Sequence, residues 1–184
     1  MAKPTVAVIV GSTRGESINL RLAEAVMRLG VNAVEFKLIS IADLPLYSLD
    51  LENDWPESAK RFSAEVRAAN AVLIVSPEHN RSLPAVLKNC IDWGSRPGAE
   101  SVWRDKPVAI IGAARGAIGT AVVQQHLRTI LGALGAHLLG GEAYLGGFTP
   151  ELIDEERDVT VETTKAFLQA FVDRFASFAK RFAA

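Results

Sequence analysis

Three short stretches gather the residue types that handle charge and planar ligands. The first, Gly11–Asn19, reads G-S-T-R-G-E-S-I-N. Ser12, Thr13, Ser17 and Asn19 bring hydroxyls and an amide, and a helix beginning there brings backbone N–H groups without partners. With the positive end of the helix dipole, these make an anion cradle. Arg14 adds a fixed charge that suits a terminal phosphate through two parallel hydrogen bonds. A polar loop at a helix start also arises for structural reasons alone. Its spelling excludes two familiar phosphate loops. A P-loop needs a lysine that is missing here, and a dinucleotide fingerprint needs G-x-G-x-x-G where this chain has Gly11 followed by Arg14-Gly15.

The second stretch, Ser76–Pro84, reads S-P-E-H-N-R-S-L-P. Pro77 ends a strand with a rigid bend, and Glu78, His79 and Asn80 then present successive N–H groups outward. A backbone edge of that kind can read the rim of a flat heterocycle. His79 and Arg81 also read as ordinary exposed loop residues. The third stretch, Gly112–Thr120, is G-A-A-R-G-A-I-G-T. Its small residues allow close backbone approach to a ligand face, or equally tight packing of a helix on a sheet.

Other reactive side chains read as structural. His79, His126 and His137 are scattered without metal-ligand spacing, so no metal is expected. Cys90 has no partner for a disulfide and reads as a small core residue. Trp55 reads as a staple at a helix start, while Trp93 and Trp103 suit core, subunit or substrate packing.

The elements that must position these loops alternate. Thr5–Val10, Val34–Leu38, Ala71–Ser76, Pro107–Ile111 and Ala136–Leu139 read as strands, most of them buried on both faces. Helices follow in turn. Ser17 caps one that carries Leu22, Val26 and Leu29 and ends at Gly30. Asp54 with Glu57 resembles a capping box for one carrying Ala59, Phe62, Val66 and Ala69. Leu83, Leu87 and Ile91 mark the third, and Val123, Leu127, Ile130 and Leu134 the fourth. Phe167, Phe171, Phe175, Phe178 and Phe182 mark the last.

Such alternation implies right-handed crossovers and a parallel sheet covered on both faces. The expected fold is α/β, a flavodoxin-like doubly wound five-stranded parallel sheet of order 2-1-3-4-5, in one domain over residues 1–184. All three loops then lie beyond the carboxyl ends of the strands, where such sheets bind ligands.

Composition narrows the partners. Over 184 residues, 20 Lys and Arg face 21 Asp and Glu for a net charge of −1, which supplies no field for a nucleic acid. No apolar run is long enough to span a bilayer, and the N-terminus lacks a signal-like segment. A lone cysteine suits a reducing compartment. A cytoplasmic protein without membrane partners is expected.

The motif G-S-x-R-x-x-S-x-N, together with P-E-H-N-R-S-L-P-A-V-L-K-N-C-I-D-W, closely resembles the NADPH-dependent FMN reductase family, which includes quinone and chromate reductases. The resemblance implies bound FMN, with NADPH or NADH as donor. It places Ser12, Arg14, Ser17, Asn19 and the backbone of Leu20 on the FMN phosphate. It puts Pro77, Glu78, His79 and Asn80 along the isoalloxazine edge, and Ala114, Arg115 and Gly116 beside the ring or ribityl chain. Two departures stand out. His79 replaces the family's usual Tyr, and Ala-Ala-Arg stands in the third loop where Ser or Thr is common. The implied activity is ping-pong transfer from NAD(P)H to quinones, chromate-like oxyanions, azo compounds or free flavin. No catalytic acid–base pair is needed, because the cofactor carries the chemistry. A homodimer or homotetramer is also implied. The rival readings are a flavodoxin-like electron carrier without NAD(P)H turnover, and a module of the same shell without cofactor. Carriers tend to be strongly acidic and to use hydroxyls rather than an arginine in this loop.

Overall fold

A computed structural model describes residues 3–183, and among these are six parallel strands and five α-helices. In order they are β1 (Thr5–Val10), α1 (Ile18–Gly30), β2 (Glu35–Ile39), α2 (Glu57–Ala68), β3 (Ala71–Val75), α3 (Ala85–Gly94), β4 (Pro107–Ala113), α4 (Ala121–Ala133), β5 (His137–Leu138), β6 (Tyr144–Leu145) and α5 (Glu162–Lys180). The strand order is β2-β1-β3-β4-β5, with β6 also paired to β4. This is the flavodoxin-like order expected from the alternating pattern. Among the described residues no helix is long and apolar enough to cross a membrane.

Two apolar layers hold the sheet. On one side Val6, Val8 and Val10 pack with Leu22 and Val26 of α1 and Phe171 and Phe175 of α5. On the other, Ala7 and Ile9 pack with Phe62 and Val66 of α2, Leu87 and Ile91 of α3, and Val123 and Leu127 of α4. The alternation of neighbours along β1 follows from the two-residue period of a strand. Each core residue here is essentially solvent-free, which fixes strand register strongly. Trp93 and Trp103 are also fully buried, donating their indole N–H groups to Pro45 O and Ile91 O. Both are core residues. Cys90 is buried as well, and burial pushes its thiol far up from the ordinary value.

Four expectations change. The fifth strand is two pieces: β5 pairs with Pro107–Val108 of β4 and β6 with Gly112–Ala113. Gly141 lies between them at φ +83° and turns the chain out of the ladder. Second, α2 has no capping box. Its helix begins at Glu57, so Pro56 occupies the cap position without a side-chain bond, and Glu57 pairs with Lys60 instead. Third, Trp55 does not staple that helix but packs edge-on against Trp93 at 5.4 Å. Fourth, only the middle of the phenylalanine row is core. Phe171, Phe175 and Phe178 are buried, whereas Phe167 and Phe182 are exposed.

Candidate active site

The three loops meet at the carboxyl ends of β1, β3 and β4, where the strand order reverses. The first is built by the cap of α1. Ser17 stands in extended conformation, and its Oγ accepts from the N–H groups of Asn19 and Leu20 at 3.2 and 3.4 Å. Arg14 donates its own N–H to Ser12 Oγ at 3.3 Å. Among the described residues, no acceptor engages the N–H groups of Thr13, Gly15, Glu16 or Ile18. Residues 13–16, Arg14 among them, are exposed, and Ile18 is half-buried. A cleft of about 280 Å³ lies between this loop and Leu38–Ala42, the end of β2 and the residues just after it.

Asn19 is different. It is fully buried, and its amide forms a pair with Ala113 at the end of β4: Nδ2 donates to Ala113 O and Oδ1 accepts from Ala113 N, both at 2.9 Å. The side chain therefore ties the start of α1 to the base of the third loop. That is a positioning contact, not the phosphate contact expected of its amide.

The second loop is a tight turn. His79 and Ser82 exchange both backbone hydrogen bonds, at 3.0 and 2.9 Å, with Asn80 at φ +49° and Arg81 at φ +63°. Two successive left-handed residues define a type I′ turn, for which Asn-Gly is the favoured pair. Arginine in place of glycine at Arg81 costs about 1 kcal/mol. The turn corrects one expectation, because the His79 N–H closes onto Ser82 O and does not point outward. The Glu78 side chain also has another partner. It is only 7% exposed, and its Oε2 accepts from the Val122 and Val123 N–H groups at 3.1 Å each. Thr120, the cap residue of α4, makes no side-chain cap bond. Glu78 thus caps α4 from a loop 44 residues away. Its Oε1 accepts from Arg81 at 3.1 Å.

The third loop is held from a segment that no sequence motif pointed to. Ala114 N donates to Leu145 O, Phe148 N donates to Ala114 O, and Gly147 N donates to Gly116 O. A Cβ on Gly146 would fall 2.3 Å from Ala117 O, and one on Gly112 would fall 2.2 Å from Ser76 O. Small residues at both places permit close packing of chain on chain. Gly116 instead faces open space, and a methyl group added there would meet nothing within 4 Å. Arg115 and Gly116 are both exposed. A cleft of about 470 Å³ runs between Glu78, Asn80 and Arg81 on one wall and residues 114 and 116–119 on the other. The signal for the buttress was the glycine pair Gly146-Gly147, which reads locally as no more than a turn.

His79 is exposed on the turn. Among the described residues no three His, Cys, Asp or Glu side chains come together as a metal site. A further cleft, of about 580 Å³, lies at the opposite ends of β1 and β2, beside Met27, Val31 and Phe36, away from all three loops.

This arrangement fits FMN on its own geometry. Unpartnered N–H donors and Arg14 suit a terminal phosphate, and the cleft of about 470 Å³ between the second and third loops falls in the size range of small-molecule sites.

Comparison with known proteins agrees. The family described as NADPH-dependent FMN reductase matches residues 4–150. A quinone reductase of Pseudomonas putida is 45% identical over 178 residues, covering 96% of this chain and 95% of that one. A 2-hydroxy-1,4-benzoquinone reductase of a Burkholderia species is 42% identical over 175 residues, covering 95% and 96%. Among solved structures, the flavoenzyme NAD(P)H:(acceptor) oxidoreductase FerB of Paracoccus denitrificans superposes with a TM-score of 0.94 at 40% identity, covering 98% of this chain and all of that one. The chain belongs to the NADPH-dependent FMN reductase family, and is an oxidoreductase that works with FMN and NAD(P)H.

Proposed function

We propose that this member of the family passes electrons from NAD(P)H to quinones, and that its exposed site also admits chromate-like oxyanions, azo compounds and free flavin. The observation that carries the reading is the convergence of an N–H cradle with Arg14 and a cleft walled by small residues at the sheet's switch point. FMN, when bound, supplies the redox chemistry, taking a hydride from NAD(P)H and passing the electrons on. Relatives named as quinone reductases support the acceptor class.

The chain's own residues hold and orient. Ser12, Arg14, Ser17 and the N–H groups at the start of α1 take the phosphate, with the Leu20 N–H shared between it and Ser17 Oγ. Asn19 acts behind them by fixing the loop to Ala113. Pro77 and the backbone of Glu78 and Asn80 border the isoalloxazine edge, with His79 on the turn beside them. Glu78 contributes through its carboxylate as well, by setting where the turn sits relative to α4. Ala114 and Gly116 line the facing wall, with Arg115 exposed between them beside the ring or ribityl chain, and the open side of Gly116 leaves room for a ring. Donor and acceptor use this one cleft in turn, which makes the kinetics ping-pong.

We take the whole chain as a single FMN-binding domain that assembles as a homodimer or homotetramer and works in the cytoplasm, without nucleic-acid or membrane partners. The exposed apolar side chains Leu46, Leu49 and Ile118 support a subunit contact.

The test is anaerobic mixing of FMN-loaded protein with NADPH and with NADH, followed by a quinone. Bleaching of the flavin band and its return are expected. A protein that stays colourless after incubation with FMN, or a band that neither donor bleaches, overturns the reading.

A further inference from the structure

The cleft beside the second loop carries one cation to which none of the roles above gives work. Arg81 lines it together with Glu78, Asn80 and the 114–119 loop. Its backbone holds φ +63° in a turn where glycine is unstrained. A residue kept against its local preference points to its side chain as the reason. That side chain is anchored as well. Its Nη1 donates to Glu78 Oε1 at 3.1 Å, while the other oxygen of the same carboxylate is tethered to the first turn of α4. A guanidinium has five N–H donors, and among the described residues no acceptor engages the rest. The other arginines nearby are placed differently. Arg115 does not line this cleft, and Arg96 lies over the Tyr47 ring at 5.0 Å, beside Glu52.

We propose that Arg81, oriented by Glu78, reads an anionic oxygen group in this cleft and so sets specificity for charged over neutral reactants. The inference rests on the FMN-dependent reading above. Two reactants carry such a group: an acceptor with an ionised ring oxygen, such as a hydroxyquinone, and NADPH through its 2′-phosphate. Either offers oxygens that a planar fork of donors meets in pairs.

The test uses Arg81→Gly. It removes the guanidinium yet gives the turn its preferred Asn-Gly pair, so a loosened loop does not confound the result. FMN-loaded protein is assayed with NADPH and NADH, each against 1,4-benzoquinone and against its 2-hydroxy derivative, which is ionised at neutral pH. The expected result is a fall of about tenfold in the kcat/KM ratio of hydroxyquinone to benzoquinone, or of NADPH to NADH, as for one charge-assisted contact. The arm that moves identifies the anion. Arg81→Lys, which keeps the charge but not the fork, recovers part of the lost ratio. Ratios unchanged in both arms, or a fall shared equally by charged and neutral reactants, overturn the proposal. If the unsubstituted protein turns over neither quinone with either NADPH or NADH, the underlying reading fails and the inference with it. The two failures are therefore distinct.

Discussion

Replacing Asn19 separates a residue that holds the ligand from one that holds the loop. In Asn19→Ala the N–H and C=O of Ala113, both bonded at 2.9 Å to a fully buried amide, lose their partners. An orphaned buried backbone group costs about 1–3 kcal/mol, so the pair costs about 2–6 kcal/mol, the lower end applying where water enters the gap. Set against a total stability of about 5–15 kcal/mol, the loss is large. Asn19→Asp keeps the shape and the bond from Ala113 N, but at neutral pH sets a carboxylate against Ala113 O in a buried site. Protonation turns that carboxyl into a donor to the same oxygen. Its folded-state pKa is therefore raised, and the variant's stability is greatest at low pH and falls as pH rises through that pKa. The assay is urea unfolding of the apo-protein at pH 5 and pH 7, with FMN affinity followed separately by flavin fluorescence. An apo Asn19→Ala stability within about 0.5 kcal/mol of the parent, accompanied by weaker FMN binding, would refute the latch and return Asn19 to the phosphate.

The remaining expectations probe the other parts of the site and its frame. Arg14→Ala raises the FMN dissociation constant at least about tenfold, the worth of one charge-assisted contact, while the urea midpoint of the apo-protein stays put; unchanged affinity removes Arg14 from the site. Gly112→Ala drives a methyl group to 2.2 Å from Ser76 O and 2.5 Å from Thr120 Oγ1. Overpacking of that kind costs about 1–3 kcal/mol, so Tm falls by roughly 3 °C or more, and a parental Tm contradicts the close approach. The buried Cys90 thiol, with its pKa pushed up by desolvation, stays unlabelled by a thiol reagent at pH 8 until urea is added; prompt labelling of the native protein contradicts its burial.

What the residue types made legible and what they hid divide along a physical line. Strands β1, β3 and β4 were readable because each is buried on both faces, so an unbroken apolar run is their only solution. The edge of the sheet was not, because β5 and β6 have two residues apiece and a glycine at positive φ between them. The same line runs through the site. Where donors would gather was visible from the loop spellings, since a hydroxyl or an arginine at a helix start is a local fact. Which donors are already committed was not, because that depends on partners distant in sequence: Ala113 stands 94 residues from Asn19, and Val122 stands 44 from Glu78.

That division explains why one short motif contains two kinds of residue. In G-S-x-R-x-x-S-x-N, Arg14 lies on the exposed turn, where a ligand would meet it, while Asn19 enters the buried start of α1 and bonds Ala113. A polar residue carried inward by a helix must be satisfied there. Its amide is then a structural bond whose loss lets the loop drift, and the outward donors lose their aim with it. In the second loop Glu78 is the counterpart of Asn19, holding inward to α4 while the turn it supports faces the cleft. Substitutions at Asn19 and at Arg14 should therefore weaken FMN binding alike, yet only the first should lower the stability of the protein without FMN.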